Sequence, residues 1–583
     1  MEMEKKNIAI IILAVFLVTS AIGNIILAIP TATKKVKGTD NVIFGTQVAP
    51  RRMDPQNSYD SGSSDVVTQW AEQLYDFNAS DPDFKLQPTL ATALPVLDLS
   101  NPDQPLVNIT LRQNVTFHDG MPFNASCVKW SFDRLNHFLN YSGNSYLPAP
   151  FNVPVAERTL LRGLYSFGGK PIINETIVVS EFQVTLKLNI PKASIFVLLA
   201  FAGSSILSPH STPANRFLDY GLKDIPIGTG PYKFASYRTD IELRLEAFDD
   251  YWGLTDPKYD LKTEFITFAI YSDDITMCEA LLAGDIDIID APNPTYLDTF
   301  EEDSDIVLLR GGPNINTEYV AMNPLRVNLT WRKAISYAID YEYVVEVVME
   351  NQAYRLASPI PTGIWAANYS LNYPTFNVSL ARTIINNDLG TSYDINDDTL
   401  WAGLNLGSFH MVVQDDSDER QKYTDYVCNV VGPRIGLDIV RYTTTFEELV
   451  YEGIVYGHDH PTEEIWPGVY MDLWAIGWAP DYLDPENYVN EFWSSESALN
   501  VGYNNTYLDE LLDNASIALP ADGPVREAMY DEIQTILIEQ DFAFAWLFTG
   551  RNNDAWLKGL NGWMGWADNL QEIGSLDLTR LYY

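Results

Sequence analysis

The sequence predicts an α/β protein with mixed β-sheets and more than one domain. Helix and strand patterns alternate: a helix near residues 275–282, closed by Gly284, precedes a strand over 286–289. Clean apolar–polar alternation predicts another strand at 182–190, which Pro191 ends. This rhythm is typical of mixed α/β sheets. At 583 residues the chain is also too long for one core, because domains usually hold about 100–200 residues.

Further elements follow from the same local patterns. Residues 42–48 and 107–111 are predicted as strands. Asn124 is a suitable N-cap, because apolar residues recur after it at helical spacing (Val128, Phe132, Leu135 and Leu139). More strands are predicted at 411–414, 437–441 and 542–548, and more helices at 331–340, 421–431, 446–451 and 525–539.

The composition restricts the classes of partner. An apolar content of 46% and an aromatic content of 13% are typical of a packed globular protein. The chain carries 78 acidic and 37 basic residues, for a net charge of −41. Such a surface repels phosphates, so no nucleic-acid partner is expected. The acidic excess suits a soluble domain at the cell surface.

The N-terminal segment is strongly apolar. Lys5 and Lys6 precede an apolar run at 8–29 whose 22 residues would form a helix about 33 Å long, close to the roughly 30 Å hydrocarbon core. Secretory signals have apolar regions of about 7–15 residues, so the length favours a membrane anchor within 1–30 over a cleaved signal. The basic flank places the rest of the chain outside the cell. Residues 31–40 are predicted as a polar linker.

Cysteines and sequons give weaker indications. Cys127, Cys278 and Cys428 are scattered, which excludes a disulfide framework and favours buried free thiols. A high density of Asn-x-Ser/Thr sequons suggests a glycosylated exterior protein. The sequons begin at Asn78, Asn108, Asn114, Asn124, Asn140, Asn174, Asn328, Asn368, Asn377, Asn504 and Asn514.

The most informative stretch is residues 471–493, MDLWAIGWAPDYLDPENYVNEFW. A short strand leads to a Gly-Trp step, and a Pro-containing loop then carries Asp481 and Asp484. Loops at strand ends are where α/β folds present binding groups. The pattern resembles the Gly-Trp-x-x-Asp-Tyr-x-Asp-Pro segment of the family 5 extracellular solute-binding proteins, the dipeptide and oligopeptide receptors of ATP-driven (ABC) importers.

Other segments carry the same resemblance, from about residue 40 to residue 580. They include the turn at 112–123 (RQNVTFHDGMPF), the Gly-Thr-Gly-Pro-Tyr turn at 228–232 and the helix at 331–340 (WRKAISYAID). In the family the Gly-Thr-Gly-Pro-Tyr turn is structural. His118, in the first of these segments, is expected to be structural as well.

The resemblance implies a two-lobed, periplasmic-binding-protein-like fold of the large, three-subdomain type. The first lobe would combine 41–75, an inserted subdomain at 76–207, 208–312 and a return segment at 550–583. The second lobe would cover 313–549. Paired hinge strands would let the lobes close over a ligand, and the closed form would be recognised by ABC permease and ATPase subunits.

The resemblance also implies the ligand site. Asp481 would receive the α-ammonium group of a peptide, because a buried charge needs a compensating partner. Trp478 would form an aromatic wall. The same region supplies Gly477, Ala479 and Tyr482, and Tyr59 belongs to the similar N-terminal segment.

One loop departs from the family pattern. Dipeptide-specific relatives place an Arg for the ligand carboxylate after the strand corresponding to 411–414. Here that loop reads Asp-Asp-Ser-Asp-Glu from Asp415, and Arg420 is its first basic residue. An acidic loop binds a carboxylate poorly. Either Arg420 reaches the ligand, or the ligand is longer than a dipeptide, cationic or not a peptide.

Several alternatives stay open. The G-x-S-x-G, P-loop and H-E-x-x-H motifs are absent from the sequence, so no enzyme activity and no cofactor are expected, although a surface hydrolase or a sensor ectodomain is an alternative. An oligosaccharide receptor on the same fold would use the 14 Trp residues for stacking. A nickel-complex receptor is the third alternative. His458 and His460 with neighbouring acids resemble metal ligands, but a solvated loop is the preferred interpretation and no metal site is predicted.

Overall fold

The computed structural model describes residues 40–581 except for 59, 79–80, 82–83, 141–160, 220–223, 256–260, 496, 498 and 564–577. It shows two lobes with mixed sheets, as the sequence predicts. A twelve-stranded sheet runs through both lobes and contains parallel and antiparallel pairs.

The first lobe holds one end of this sheet. Its central strand, Asn41–Thr46, pairs in parallel with a strand on either side. Apolar side chains such as Val42 and Phe44 are buried against the helix Ser61–Trp70 and its neighbours. The strands of this end, in spatial order, are Tyr232–Arg238, Glu242–Ala247, Phe265–Ile270, Asn41–Thr46 and Ile288–Asp290.

The second lobe holds the other end. Its strands, in spatial order, are Thr317–Met322, Leu473–Trp478, Gly407–Gln414 and Leu437–Thr444. The strand Leu473–Trp478 lies between an antiparallel and a parallel neighbour, and its first four residues are buried. The strand that leads to Asp481 is therefore central and fixed on both edges.

A single strand of 14 residues, Phe544–Leu557, passes from one lobe to the other; we call it the crossing strand. Its first half pairs with Thr317–Met322 and Ala353–Arg355, and its second half pairs with Ile306–Pro313 and Ile288–Asp290. The change of partners falls near position 550, where the return to the first lobe is predicted. The limits of the lobes in sequence stay a prediction.

The inserted region forms its own antiparallel sheet, in the order Leu97–Asp98, Leu106–Thr110, Gln183–Leu188 and Ile173–Ser180. The helix Ala125–Leu139 packs on this sheet. Asn124 caps the helix, as predicted, by accepting a hydrogen bond from Ser126 N (2.9 Å). Arg134 of this helix forms a buried two-point ion pair with Asp54, which joins the inserted region to the first lobe.

The remaining elements are short strands and the helices. Two-stranded ribbons pair Tyr75–Phe77 with Leu86–Pro88, Ser166–Phe167 with Lys170–Pro171, and Glu464–Trp466 with Val469–Tyr470. Further α-helices are Arg162–Tyr165, Ile195–Leu198, Asp274–Ala283, Leu297–Glu302, Leu329–Ala338, Tyr341–Tyr343, Val378–Leu389, Asp398–Gly403, Asp418–Tyr426, Gly432–Arg434, Phe446–Glu448, Tyr456–Asp459, Pro485–Trp493, Thr506–Ile517 and Pro524–Thr535.

Wider helical turns and short 3₁₀ turns complete the fold. The π-type turns are Val344–Val348, Val427–Val431, Leu449–Val455 and Ile536–Gln540. The 3₁₀ turns are Ala202–Ser204, Trp252–Thr255 and Pro294–Tyr296.

The Gly-Thr-Gly-Pro-Tyr turn is structural. A Cβ on Gly228 would lie 2.1 Å from the carbonyl oxygen of Trp70, so only glycine allows this close approach. His118 Nε2 donates a hydrogen bond to the carbonyl of Gly230 (2.9 Å), and burial lowers the pKa of His118 to about 4. His118 therefore holds this turn as a neutral side chain.

Several other predictions are settled at this level. Cys127, Cys278 and Cys428 are buried free thiols, as predicted. Within the part of the chain that the structure describes, no helix has the length and apolarity needed to cross a membrane. The predicted anchor at 8–29 lies outside the described residues.

Candidate ligand-binding site between the lobes

The candidate site is built on the loop that joins the strand Leu473–Trp478 to the helix Pro485–Trp493. Asp484 caps this helix by accepting a hydrogen bond from Glu486 N (2.9 Å), and Pro485 occupies its first turn. The strand fixes one end of the loop and the capped helix fixes the other. The residues between them, 479–484, are called the Asp481 loop below.

Asn487, in the first turns of the helix, holds Asp481 in place. Its Nδ2 donates to Asp481 Oδ2 (2.9 Å), while its Oδ1 accepts from the backbone N–H of Asp481 (2.8 Å). The same oxygen accepts from Trp478 Nε1 (3.1 Å). One amide thus orients both the predicted carboxylate and the predicted aromatic wall. Trp478 also packs edge-on against Phe492, with ring centroids 5.1 Å apart.

Asp481 is half-buried, and its carboxylate has no cation beside it among the described residues. Burial raises the pKa of Asp481 to about 7, although the hydrogen bond from Asn487 acts in the opposite direction. Among the described residues, no Lys, Arg or His forms an ion pair with Asp481. A half-buried carboxylate of this kind favours the approach of a positively charged group.

The first lobe faces this loop through the segment 163–165 and the segment 192–194. Burial raises the pKa of Tyr165, and the negative charge of Asp481 adds to this rise, so Tyr165 is close enough to Asp481 for their charges to interact. Tyr482, the next residue, is buried. Ser194 Oγ donates to Glu486 Oε2 (2.7 Å). Asp481 therefore lies at the contact between the inserted region and the second lobe, which we call the junction.

A buried ion cluster joins the lobes behind the loop. Lys192 of the first lobe pairs with Glu486 of the second. Arg526, which is 0% exposed, donates to both oxygens of Asp484 at 2.7 Å. Burial raises the pKa of Glu486, but Lys192 and Arg526 outweigh burial and hold that pKa below its usual value. These four charges compensate one another and leave Asp481 outside the cluster.

Gly477 and Arg420 lie on the other side of the strand. Arg420 forms a two-point pair with Glu318 (Nη2–Oε1 2.7 Å, Nε–Oε2 3.1 Å), and Tyr423 donates to the same carboxylate. A Cβ on Gly477 would lie 1.9 Å from Glu318 Oε1. Gly477 therefore leaves room for this ion pair, and Arg420 already has a carboxylate partner within the chain.

Replacing Gly477 with alanine should consequently destabilise the protein. Glu318 is held by Arg420 and Tyr423, so the added methyl group forces a shift that we expect to cost about 1–3 kcal/mol. Urea unfolding of Gly477→Ala measures this loss. Gly457→Ala is the matched control in the same lobe, because its Cβ would meet nothing closer than 3.6 Å. Equal stabilities of the two variants would contradict this account of Gly477.

The other predicted site residues are placed as follows. Ala479 is exposed in the Asp481 loop, and Asp415 is exposed at the end of the strand Gly407–Gln414. Asp415 hydrogen-bonds with Thr444 and Gln421, and among the described residues it has no hydrogen bond or ion pair with the Asp481 loop, so the structure does not bring it to Asp481. Tyr59 lies outside the described residues. The binding roles of all these residues stay predictions.

Sequence reasoning missed two residues of this site, Asn487 and Glu491. They lie four residues apart on the helix Pro485–Trp493 and therefore share one face. Placing the start of the helix at Asp484 would have located both. His458 Nδ1 hydrogen-bonds with the Asn500 carbonyl (2.8 Å), and no group of three or more potential metal ligands occurs among the described residues.

Residues 85–500 match the family model of the bacterial extracellular solute-binding proteins, family 5. The match spans most of the chain, and the protein belongs to this family of extracellular receptors.

Relatives agree with this assignment. A glutathione-binding protein from Pectobacterium atrosepticum is 25% identical over 90% of this chain and 92% of its own length. Heme-binding protein A of Haemophilus influenzae is 24% identical over 88% of each chain. The periplasmic binding protein DppA of Helicobacter pylori, solved with the peptide STSA, has a TM-score of 0.73 at 20% identity and covers 93% of this chain and 98% of that one. This last likeness concerns the fold.

Proposed function

We propose that this protein captures peptides between its lobes, receives their α-ammonium group at Asp481, and delivers them chemically unchanged to an ABC importer. The observation that carries the proposal is the Asp481 carboxylate, which is half-buried, held by Asn487 and lacks a cation among the described residues. An ammonium group would supply the missing charge and the missing hydrogen-bond donors. Two of the relatives above support a peptide ligand by name, and one is named for heme.

The surroundings of Asp481 can accommodate peptides with varied side chains. Trp478 and Phe492 offer aromatic surface beside the carboxylate, and aromatic walls accept different apolar groups through shape and stacking. A fixed charge at one end and adaptable walls further along are the features that a receptor for peptides of mixed sequence needs.

The pairing of Arg420 favours peptides longer than two residues. A dipeptide carboxylate that used Arg420 would have to displace Glu318, which would leave a carboxylate with 12% side-chain exposure unpaired. A longer peptide carries its carboxylate past this position. The acidic loop that begins at Asp415 supports the same conclusion, because it repels a free carboxylate.

The location follows from the family and from the N-terminal segment. We propose that the apolar run at 8–29 tethers the receptor to the outer face of the membrane, close to the permease. Fractionation tests this: the full chain should sediment with membranes, and a chain starting at residue 31 should not. Glycosylation of the sequons stays a prediction; Asn124, Asn328 and Asn377 use their side chains to cap helices.

A thermal-shift screen tests the proposed function. Pools of di-, tri- and pentapeptides, cello-oligosaccharides, heme and nickel–histidine would each be mixed with the ligand-free protein. A ligand that binds the folded state raises the unfolding temperature by mass action. We expect a shift with the tri- and pentapeptide pools. A shift with sugars, heme or nickel alone would overturn the peptide assignment.

The affinity should depend on pH with a defined sign. Burial sets the pKa of ligand-free Asp481 at about 7, and a bound ammonium keeps the group ionised. Below pH 7 binding must displace a proton, so the affinity for Ala-Ala-Ala should fall by up to about tenfold per pH unit. Calorimetry between pH 5 and 7.5 measures this, with Asp481→Asn as the control. An affinity that is constant over this range would contradict an ionised Asp481 in the complex.

A further inference from the structure

Glu491 is a second carboxylate at the same site. Its residue is 7% exposed, and among the described residues its carboxylate forms no hydrogen bond or ion pair. It lies one helical turn beyond Asn487, the residue that clamps Asp481. A Cβ on Gly163 would lie 2.7 Å from Glu491 Oε2, so the carboxylate faces the first lobe across the junction.

The carboxylates of Glu491 and Asp481 interact electrostatically. Burial raises the pKa of Glu491 to about 8. The negative charge of Asp481 adds to this rise, and the positive charge of Lys192 opposes it. Lys192 itself is paired with Glu486. The junction therefore contains two buried acids that both lack a cation of their own, which is one more than an α-ammonium group requires.

We propose that Glu491 is a specificity-determining residue that receives a second positive charge of the ligand, the side-chain cation of a lysine or arginine at the first peptide position. This inference rests on the proposed function. The Cβ atoms of Asn487 and Glu491, four residues apart on the helix, are about 5–6 Å apart, and Asn487 holds Asp481 by a hydrogen bond of 2.9 Å, so both carboxylates lie on the side of the helix that one flexible lysine stem can follow. Two ligand cations would then compensate two carboxylates that have no ion-pair partner among the described residues.

Calorimetry with Lys-Ala-Ala and Ala-Ala-Ala tests this inference. We expect the native protein to bind Lys-Ala-Ala at least about tenfold more tightly, since a close buried charge pair contributes well over 1.4 kcal/mol. Glu491→Gln, which keeps the shape and removes the charge, should bring this ratio of affinities close to one. Glu510→Gln is the matched control, because Glu510 is exposed on the neighbouring helix Thr506–Ile517, and it should keep the native ratio.

The outcomes are distinguishable. A native ratio near one, with both peptides binding, overturns the role of Glu491 and leaves the proposed function standing. A native preference that persists in a folded Glu491→Gln variant also overturns it. Binding of neither peptide overturns the proposed function and this inference together. Should Glu491→Gln fail to fold by circular dichroism, Glu491→Met replaces it as a second uncharged side chain of similar length, with the same expected ratio.

Discussion

Asp481→Asn should lower the affinity for a tripeptide such as Ala-Ala-Ala by at least about 100-fold, because the ligand ammonium would lose its buried counter-charge. Asparagine keeps the size of the side chain and its bond with Asn487, so the loop geometry should survive. Calorimetric titration of the native protein and of the variant measures the change. Asp438→Asn, on the outer strand of the same lobe and exposed, is the matched control.

Stability separates lost binding from lost folding in this variant. The ligand-free protein holds a proton on Asp481 up to pH about 7, whereas the unfolded chain releases it near the ordinary carboxylate pKa. The free energy of unfolding of the native protein therefore falls progressively as the pH rises from about 4 to 7. Asp481→Asn should gain stability over the native protein across this range and keep the gain at pH 8. A variant that is less stable at pH 8 and fails to bind would contradict the assigned role.

Arg526→Met should destabilise the protein by about 3–5 kcal/mol, the largest effect on stability that we expect. Arg526 is fully buried and neutralises Asp484 through two hydrogen bonds at 2.7 Å. Methionine fills part of the space but leaves Asp484 as an unpaired buried carboxylate. Urea unfolding measures the loss.

Two further variants test the cause of this loss. Adding Asp484→Asn to Arg526→Met should recover part of the stability, since asparagine still caps the helix but carries no charge. Arg441→Met, which removes a more exposed pair with Asp425, should cost less than about 1 kcal/mol. If the double variant were as unstable as Arg526→Met, packing and not charge would explain the effect.

Local signals were sufficient for the ends of several elements. Asn124 caps its helix and Gly284 ends another with a positive φ of 75°, both as the sequence indicates. These features depend on contacts within a few residues, which a sequence displays directly. The strand that leads to the Asp481 loop was found for the same reason, although it extends through Trp478.

Local sequence patterns predict only the first half of the crossing strand. The sequence predicts a strand at 542–548, whereas the structure has Phe544–Leu557. The added half is stabilised by pairing with Ile306–Pro313, more than 200 residues earlier in the chain. Polar residues such as Asn553 and Asp554 interrupt the apolar pattern there, and only the distant partner strand makes the extended conformation favourable.

The candidate site was predicted in part for a similar reason. Asp481 and Trp478 were located through the family resemblance, but the amide of Asn487 that orients them becomes visible only when the helix has been placed. Arg420 was considered a partner for the ligand carboxylate, and its actual partner, Glu318, lies about a hundred residues away in the sequence. Ion pairs between distant segments leave no local pattern.

The most direct test of the central claim combines a change in the ligand with a change in Asp481. Calorimetry would compare Ala-Ala-Ala with N-acetyl-Ala-Ala-Ala on the native protein and on Asp481→Asn. If the α-ammonium group binds Asp481, acetylation should weaken binding to the native protein by at least about 100-fold and should cause little further loss in the variant. Equal affinities of the two peptides for the native protein would contradict the claim.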